Sequence, residues 1–234
     1  SDQDGSVDGI LTQPTCSGGN DAAIDITVAG GTEPYSFEWS DGLGVISTQE
    51  DLTDLTAGTY SVQVTDDNGC IFAEAFEVVD PDAILVIPTA GQVSCAGDDG
   101  SIVLAIQNAA EPIGVSWTGP NGFVANGTTL SDLETGTYSY AITDANGCAA
   151  AGDIEVTDAP AISVSEDISD VACNGEANGS IELTALTGNG PSQYAWTEPN
   201  GFTPDQEDIF NLEAGDYEVT ITDGQGCPES FSFS

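Results

Sequence analysis

Sixteen residues, "LTAGTYSVQVTDDNGC" at 55–70, return as "LETGTYSYAITDANGC" at 133–148 and as "LEAGDYEVTITDGQGC" at 212–227. Each stretch is the tail of a longer repeat. Cys16, Trp39, Tyr60 and Cys70 mark the first copy, Cys95, Trp117, Tyr138 and Cys148 the second, and Cys173, Trp196, Tyr217 and Cys227 the third. The Cys-to-Trp gaps are 23, 22 and 23 residues, while Trp to Tyr is 21 and Tyr to Cys is 10 in every copy. Four landmarks held this closely require one fold used three times over. A period of 78–79 residues is too long for a solenoid turn and suits a small independent domain. The expected domains are 1–80, 81–158 and 159–234, the first with an atypical opening strand and the third with a truncated closing one.

Within a copy the apolar residues alternate. Ile24, Ile26 and Val28 do so, as do Tyr35, Phe37 and Trp39, then Tyr60, Val62 and Val64, then Phe76 and Val78. Short period-two runs between Gly, Asp and Asn clusters read as half-buried antiparallel strands. "DDNG", "DANG" and "DGQG" are tight-turn sequences, and "PNG" at 120–122 and 199–201 marks a second turn after the Trp. Leu55, Gly58 and Tyr60 resemble the tyrosine corner of immunoglobulin-like sandwiches, in which the phenol bonds backbone at the start of strand F. The fold expected is therefore all-β: three tandem immunoglobulin-like antiparallel β-sandwich domains in an elongated row. Trp39, Trp117 and Trp196, with Tyr60, Tyr138 and Tyr217, are read as core.

Charge narrows the function. There are 40 Asp and Glu residues and no Lys, Arg, His or Met, for a net charge of −40. Such a surface repels phosphate, so nucleic acid and anionic membrane surfaces are poor partners, and no nucleic-acid binding or membrane insertion is expected. The patterned apolar residues argue against a disordered acidic chain. Divalent cations are the natural counterions, and Ca²⁺ favours oxygen ligands. Asp66, Asp67, Asp80, Asp82, Asp98, Asp99, Asp144 and Asp158 cluster at predicted domain ends and are candidate calcium ligands, though turns favour Asp without any metal. "DQDG" at 2–5 is only a fragment of a calcium loop. Without His or Lys, nucleophilic triads and Schiff bases are excluded, and no pair of acids stands out as catalytic. No enzyme activity is expected.

No run approaches the roughly 18 apolar residues of a membrane span. With no initiator Met and no leader, the chain reads as a secreted, mature product. Six cysteines at regular positions fit an oxidising setting outside the cell. Asn126 and Asn178 lie in glycosylation triplets.

The stretches "SCAGDDGSI" (94–102), "GGTEPYSFEW" (30–39) and "AGTYSVQVTDDNGC" (57–70) together resemble the SprB-type repeat of large surface adhesins in gliding Bacteroidetes. The resemblance runs through all three copies. It implies a cell-surface, adhesive or filament-forming setting and transfers no catalytic residue. Such adhesins are far longer than this chain, and no sorting domain for secretion is visible in it.

Six cysteines allow 15 pairings. One scheme keeps each bridge within a repeat, as Cys16–Cys70, Cys95–Cys148 and Cys173–Cys227. Strand geometry opposes it. Cys16 precedes strand B and Cys70 follows the F–G turn, at opposite ends of strands that span roughly 23 Å at about 3.3 Å per residue. A disulfide needs Cα atoms within about 7 Å. The second scheme joins successive repeats through Cys16–Cys148 and Cys95–Cys227. It leaves Cys70 and Cys173 for a bond between subunits. The outer strands are unequal as well. "AILVI" (83–87) and "AISVS" (161–165) open copies two and three, but "DGSVD" (4–8) is a poor strand, and "FSFS" (231–234) stops early. An uncovered edge invites strand addition from a neighbour, although a frayed end or a piece of a longer array reads the same way. Two functions compete. One is a non-enzymatic extracellular structural subunit that polymerises head to tail with itself. The other is an adhesin or spacer segment of a larger surface protein, binding glycans through the divergent loops 40–50, 119–127 and 198–208.

Overall fold

A computed structural model describes residues 5–95, 97–173, 175–186, 190, 192–197 and 204–234. The first copy contains β1 (Ser6–Thr12), β2 (Ala22–Ala29), β3 (Ser36–Ser40), β4 (Val45–Ser47), β5 (Leu52–Leu55), β6 (Gly58–Thr65) and β7 (Ile71–Val78). The second contains β8 (Leu85–Gly91), β9 (Gly100–Gln107), β10 (Gly114–Thr118), β11 (Val124–Asn126), β12 (Thr129–Leu133), β13 (Gly136–Thr143) and β14 (Ala149–Val156), with a 3-10 turn at Pro120–Gly122. The third contains β15 (Ser163–Ser169), β16 (Gly179–Leu186), β17 (Gln193–Thr197), β18 (Ile209–Leu212), β19 (Tyr217–Thr222) and β20 (Pro228–Phe233). The 3-10 turn is the only helical element among the described residues. The turn expected at 199–201 and the "DQDG" start up to Asp4 lie outside them.

The strand order repeats. Three sheets run β1-β2-β5, β12-β9-β8 and β15-β16-β18, and three run β4-β3-β6-β7, β11-β10-β13-β14 and β17-β19-β20. The pairings are antiparallel, for example Trp39 opposite Val62 in β3–β6 and Trp196 opposite Val219 in β17–β19. Contacts gather the chain into two compact units. One holds Ser1–Ile87, Ala105–Ser116 and Ala141–Gly152, and the other Pro88–Leu104, Trp117–Tyr140 and Asp153–Ser234.

In the first unit, the alternation in β2 and β6 turns Ala22, Ile24 and Ile26 inward against Tyr60, Val62 and Val64, with Trp39 fully buried between the two sheets. In the second unit, Ile181, Leu183, Trp196, Tyr217, Val219 and Ile221 make the same core. Ile102, Leu104, Trp117, Tyr138, Ile142 and Val156 are buried at the matching positions of copy two. Each buried indole still needs an acceptor. The Nε1–H of Trp39 donates to the Gln49 carbonyl at 3.0 Å, that of Trp117 to Gly127 at 2.9 Å and that of Trp196 to Gln206 at 2.9 Å, each ten residues on. The tyrosine corner is formed three times. The hydroxyls of Tyr60, Tyr138 and Tyr217 donate to the carbonyls of Thr56 (2.9 Å), Glu134 (3.0 Å) and Glu213 (2.7 Å).

The opening strand corrects the sequence reading. The stretch 4–8 reads as a poor strand, yet β1 runs seven residues, as β8 and β15 do, and pairs with β2 from Ser6–Ala29 to Thr12–Ala23. Val7 is buried, and Gly9 breaks the alternation for a steric reason. A Cβ there would stand 2.5 Å from the Phe76 ring, so the glycine makes room for an aromatic on the facing sheet. At the other end, β20 has six residues against eight in β7 and β14.

These two anchors differ in weight. Truncating a buried Trp leaves a large cavity and typically costs about 3–5 kcal/mol, whereas one neutral hydrogen bond is worth about 1 kcal/mol. Trp196→Ala is expected to lower the denaturant midpoint severely and Tyr217→Phe mildly, as read by equilibrium urea unfolding. Equal effects would contradict the assignment of the indole as the core.

Candidate functional site: the cysteine joints

Every second cysteine of a repeat sits at the end of a turn held by an aspartate four residues before it. Asp66 accepts N–H groups from Asn68 (3.0 Å) and Cys70 (2.7 Å) on one oxygen and from Thr32 (2.9 Å) on the other. Asp144 accepts from Asn146 (2.9 Å), Cys148 (2.8 Å) and Ala110 (3.0 Å). Asp223 accepts from Gln225 and Cys227, both at 2.9 Å. All three aspartates are buried. Between each aspartate and its cysteine stands a glycine with positive φ, Gly69, Gly147 or Gly226, the conformation that lets the turn close. The Cys70 N–H first, then those of Thr32 and Asn68, hold the Asp66 carboxyl below its ordinary range. The Ala110 N–H first, then that of Cys148, does the same for Asp144.

The first cysteine of each repeat sits on a different turn. Asp21 accepts the Thr15 N–H at 2.9 Å and the Thr15 hydroxyl, and Asp99 accepts the Ser94 N–H at 2.7 Å and the Ser94 hydroxyl. The hydroxyl contact is the main cause that lowers the pKa of each. Asn178 takes this place in copy three, accepting from the Ala172 N–H at 2.9 Å.

The two kinds of turn meet. Cys16 is bonded to Cys148 with Cα atoms 5.4 Å apart, and Cys95 to Cys227 with Cα atoms 5.5 Å apart. Both bonds have a sequence separation of 132 residues and link the first cysteine of one repeat to the second cysteine of the next. Each bond lies within one compact unit. The linkers belong to the same sites. Asp80 accepts the Ser17 hydroxyl at 3.0 Å and the Gly18 N–H at 2.8 Å. At the second joint the linker pairs directly with Val93, whose N–H donates to Thr157 and whose carbonyl accepts from Ala159. A cavity of about 460 Å³ adjoins the first bond and one of about 280 Å³ the second, the latter lined by Asp158, Pro160 and Glu229 among others. Cys70 and Cys173 carry no disulfide; the former is half-buried and the latter exposed.

The candidate calcium ligands are thus dispersed among other tasks. Asp66 and Asp144 face N–H groups, Asp99 holds the Ser94 turn and Asp80 ties the linker, while Asp158 is exposed and lies opposite Val93 in a backbone bridge made by Thr157 and Ala159. Asp67, Asp82 and Asp98 are exposed. Among the described residues, no three His, Cys, Asp or Glu side chains gather as a metal site. Asn126 is exposed on β11, and the Asn178 amide donates to Glu176 at 2.9 Å. In loop 40–50, Leu43, Val45 and Ile46 are exposed apolar residues, with Leu43 at 95 %. Residues 198–203 of the third divergent loop lie outside the described residues. Asp223, absent from the candidate acids above, belongs with Asp66 and Asp144. Its signal was present, since Asp stands four residues before Cys in all three copies.

The strand order and the joints define an all-β protein of antiparallel sheets arranged as in immunoglobulin domains. The SprB repeat family model matches residues 9–44 and 165–201, in the first and third copies. SprB repeats belong to cell-surface proteins, and the two disulfides agree with a location outside the cell. No helix among the described residues is long and apolar enough to cross a membrane. None of the curated proteins matches the chain. Among solved structures it is similar to the N-terminal eight Ig domains of Down Syndrome Cell Adhesion Molecule, at 12 % identity over 97 % of this chain and 36 % of that one, TM-score 0.37. It is also similar to a tetra-tandem repeat in the extending region of a large adhesion protein, at 14 % identity over 98 % and 73 %, TM-score 0.35.

Acid separates two opposing effects. Lowering pH toward about 5 neutralises part of the −40 charge and relieves self-repulsion. The stabilisation from Asp66 and Asp144 is fully present above the ordinary 3.8 and is lost as pH falls through their own lower values. The melting temperature is therefore expected to rise from pH 7 to about 5 and to fall once the pH drops below the ordinary 3.8 and through the lower values of Asp66 and Asp144. A monotonic rise with acid would contradict the role given to these carboxylates.

Proposed function

We propose that this chain is a non-enzymatic structural subunit of an extracellular surface filament that assembles head to tail from copies of itself. Its domains are 1–80, 81–158 and 159–234. The observation that carries this reading is the repeated joint. Two disulfides of equal sequence separation tie each repeat to the next, and the linker is bonded to the same turns. Crosslinks between repeats stiffen a chain of modules, which is what a filament needs and a flexible spacer does not. A pocket of about 170 Å³ beside β20, lined by Ile181, Leu212, Tyr217 and Phe233, offers apolar surface to an added strand. A translated contact of this kind propagates without closing. Divalent cations, Ca²⁺ among them, act here as diffuse counterions for the carboxylates.

A second reading rests on loop 40–50. Its exposed Leu43, Val45 and Ile46 form the apolar face that a glycan-binding adhesin segment would use. Negative-stain microscopy separates the two. A filament subunit gives regular fibres, with Ca²⁺ or Mg²⁺ alike because a diffuse counterion makes no choice of metal. Monodisperse particles that bind on a glycan array, with binding lost in Leu43→Ser, would replace the filament with the adhesin.

A further inference from the structure

Cys70 and Cys173 sit on the same two kinds of turn that meet at the bonded joints, and neither carries a disulfide. Cys70 ends the same Asp-anchored turn as Cys148 and Cys227, both of which are bonded. The Cys70 N–H donates to Asp66 as those of Cys148 and Cys227 donate to Asp144 and Asp223. Cys173 opens the same turn as Cys16. The Glu176 N–H donates to the Cys173 carbonyl at 3.1 Å, as Gly19 donates to that of Cys16 at 2.8 Å. Asn178 and Asp21 hold the residues just before each cysteine in the same way. One rule accounts for both bonds formed: the first cysteine of a repeat pairs with the second cysteine of the following repeat. Applied once more, the rule leads from Cys173 to a cysteine of the Cys70 kind. Both are unbonded and at least partly accessible.

We infer that Cys173 of one copy forms a disulfide with Cys70 of a second copy, so that subunits are joined by the same covalent joint that ties repeats within the chain. The inference rests on the head-to-tail reading above. A second copy supplies, in Cys70, the kind of Asp-anchored turn ending in cysteine that Cys16 and Cys95 already hold. The chemistry is thiol–disulfide exchange with a small disulfide as oxidant. The Cys173 thiolate attacks the oxidant and releases one small thiol. The Cys70 thiolate then attacks the mixed disulfide and releases the second. Two protein thiols become one S–S bond, and the oxidant leaves as two thiols carrying the two protons.

Complementation tests it. Purified full-length protein is incubated with oxidised glutathione and resolved on a non-reducing gel. The wild type is expected to give a ladder of integer multiples. Cys70→Ser alone and Cys173→Ser alone should stay monomeric, and their mixture should stop at the dimer. Because the two thiols are the only free ones, alkylating the folded, unreduced wild type should abolish the ladder without any substitution. A dimer from either variant alone, or a wild type that stays monomeric, overturns the inference. Fibres seen by microscopy without a ladder remove this bond and leave the filament standing. A ladder without fibres does the reverse.

Discussion

Where a turn must present a cysteine to a partner, its backbone N–H groups need an acceptor that holds the turn still. Asp66, Asp144 and Asp223 are that acceptor. Charged hydrogen bonds of this sort are stronger than neutral ones, and a buried carboxylate facing several N–H groups keeps its charge. The joints between repeats depend on this. A disulfide tolerates only a narrow range of Cα separation, and both bonds observed sit within it at 5.4 and 5.5 Å. At both bonds an Asp-anchored turn holds the cysteine on each side.

The same residue type solves a problem that the composition creates. A chain without Lys, Arg or His has no side-chain cation for any of its 40 carboxylates. Stability must come from elsewhere: from apolar burial around the three tryptophans, from backbone N–H groups as partners for acids, and from covalent crosslinks. A disulfide that closes a loop of over a hundred residues constrains the unfolded chain by about 4–5 kcal/mol in the chain-entropy view. The two loops here overlap in sequence, so their effects do not simply add.

The sandwich was legible in the sequence because alternation and the Cys–Trp–Tyr–Cys spacing are local signals. Trp39, Tyr60 and their counterparts are core for that reason. Gly9 was not legible, since its role is set by Phe76 on the facing sheet, which no window of β1 contains. The acids divide the same way. Asp66 and Asp144 drew attention as carboxylates near domain ends, but their partners are N–H groups that converge only after the turn closes and a loop 34 residues earlier arrives beside it. Asp223 carries the same signal as Asp144, an aspartate four residues before a cysteine, and its N–H partners likewise converge only when the turn closes. Strand length opposes bonds within a repeat, but it does not choose among the remaining pairings, because which turns meet depends on how successive repeats pack.

Peptide mapping under non-reducing conditions tests the joints most directly. The chain offers no Lys or Arg to trypsin, so an enzyme that cleaves after Glu is the suitable tool. The account predicts that the Cys16 peptide is recovered joined to the Cys148 peptide, and the Cys95 peptide to the Cys227 peptide. Recovery of Cys16 with Cys70, or of Cys95 with Cys148, would contradict it.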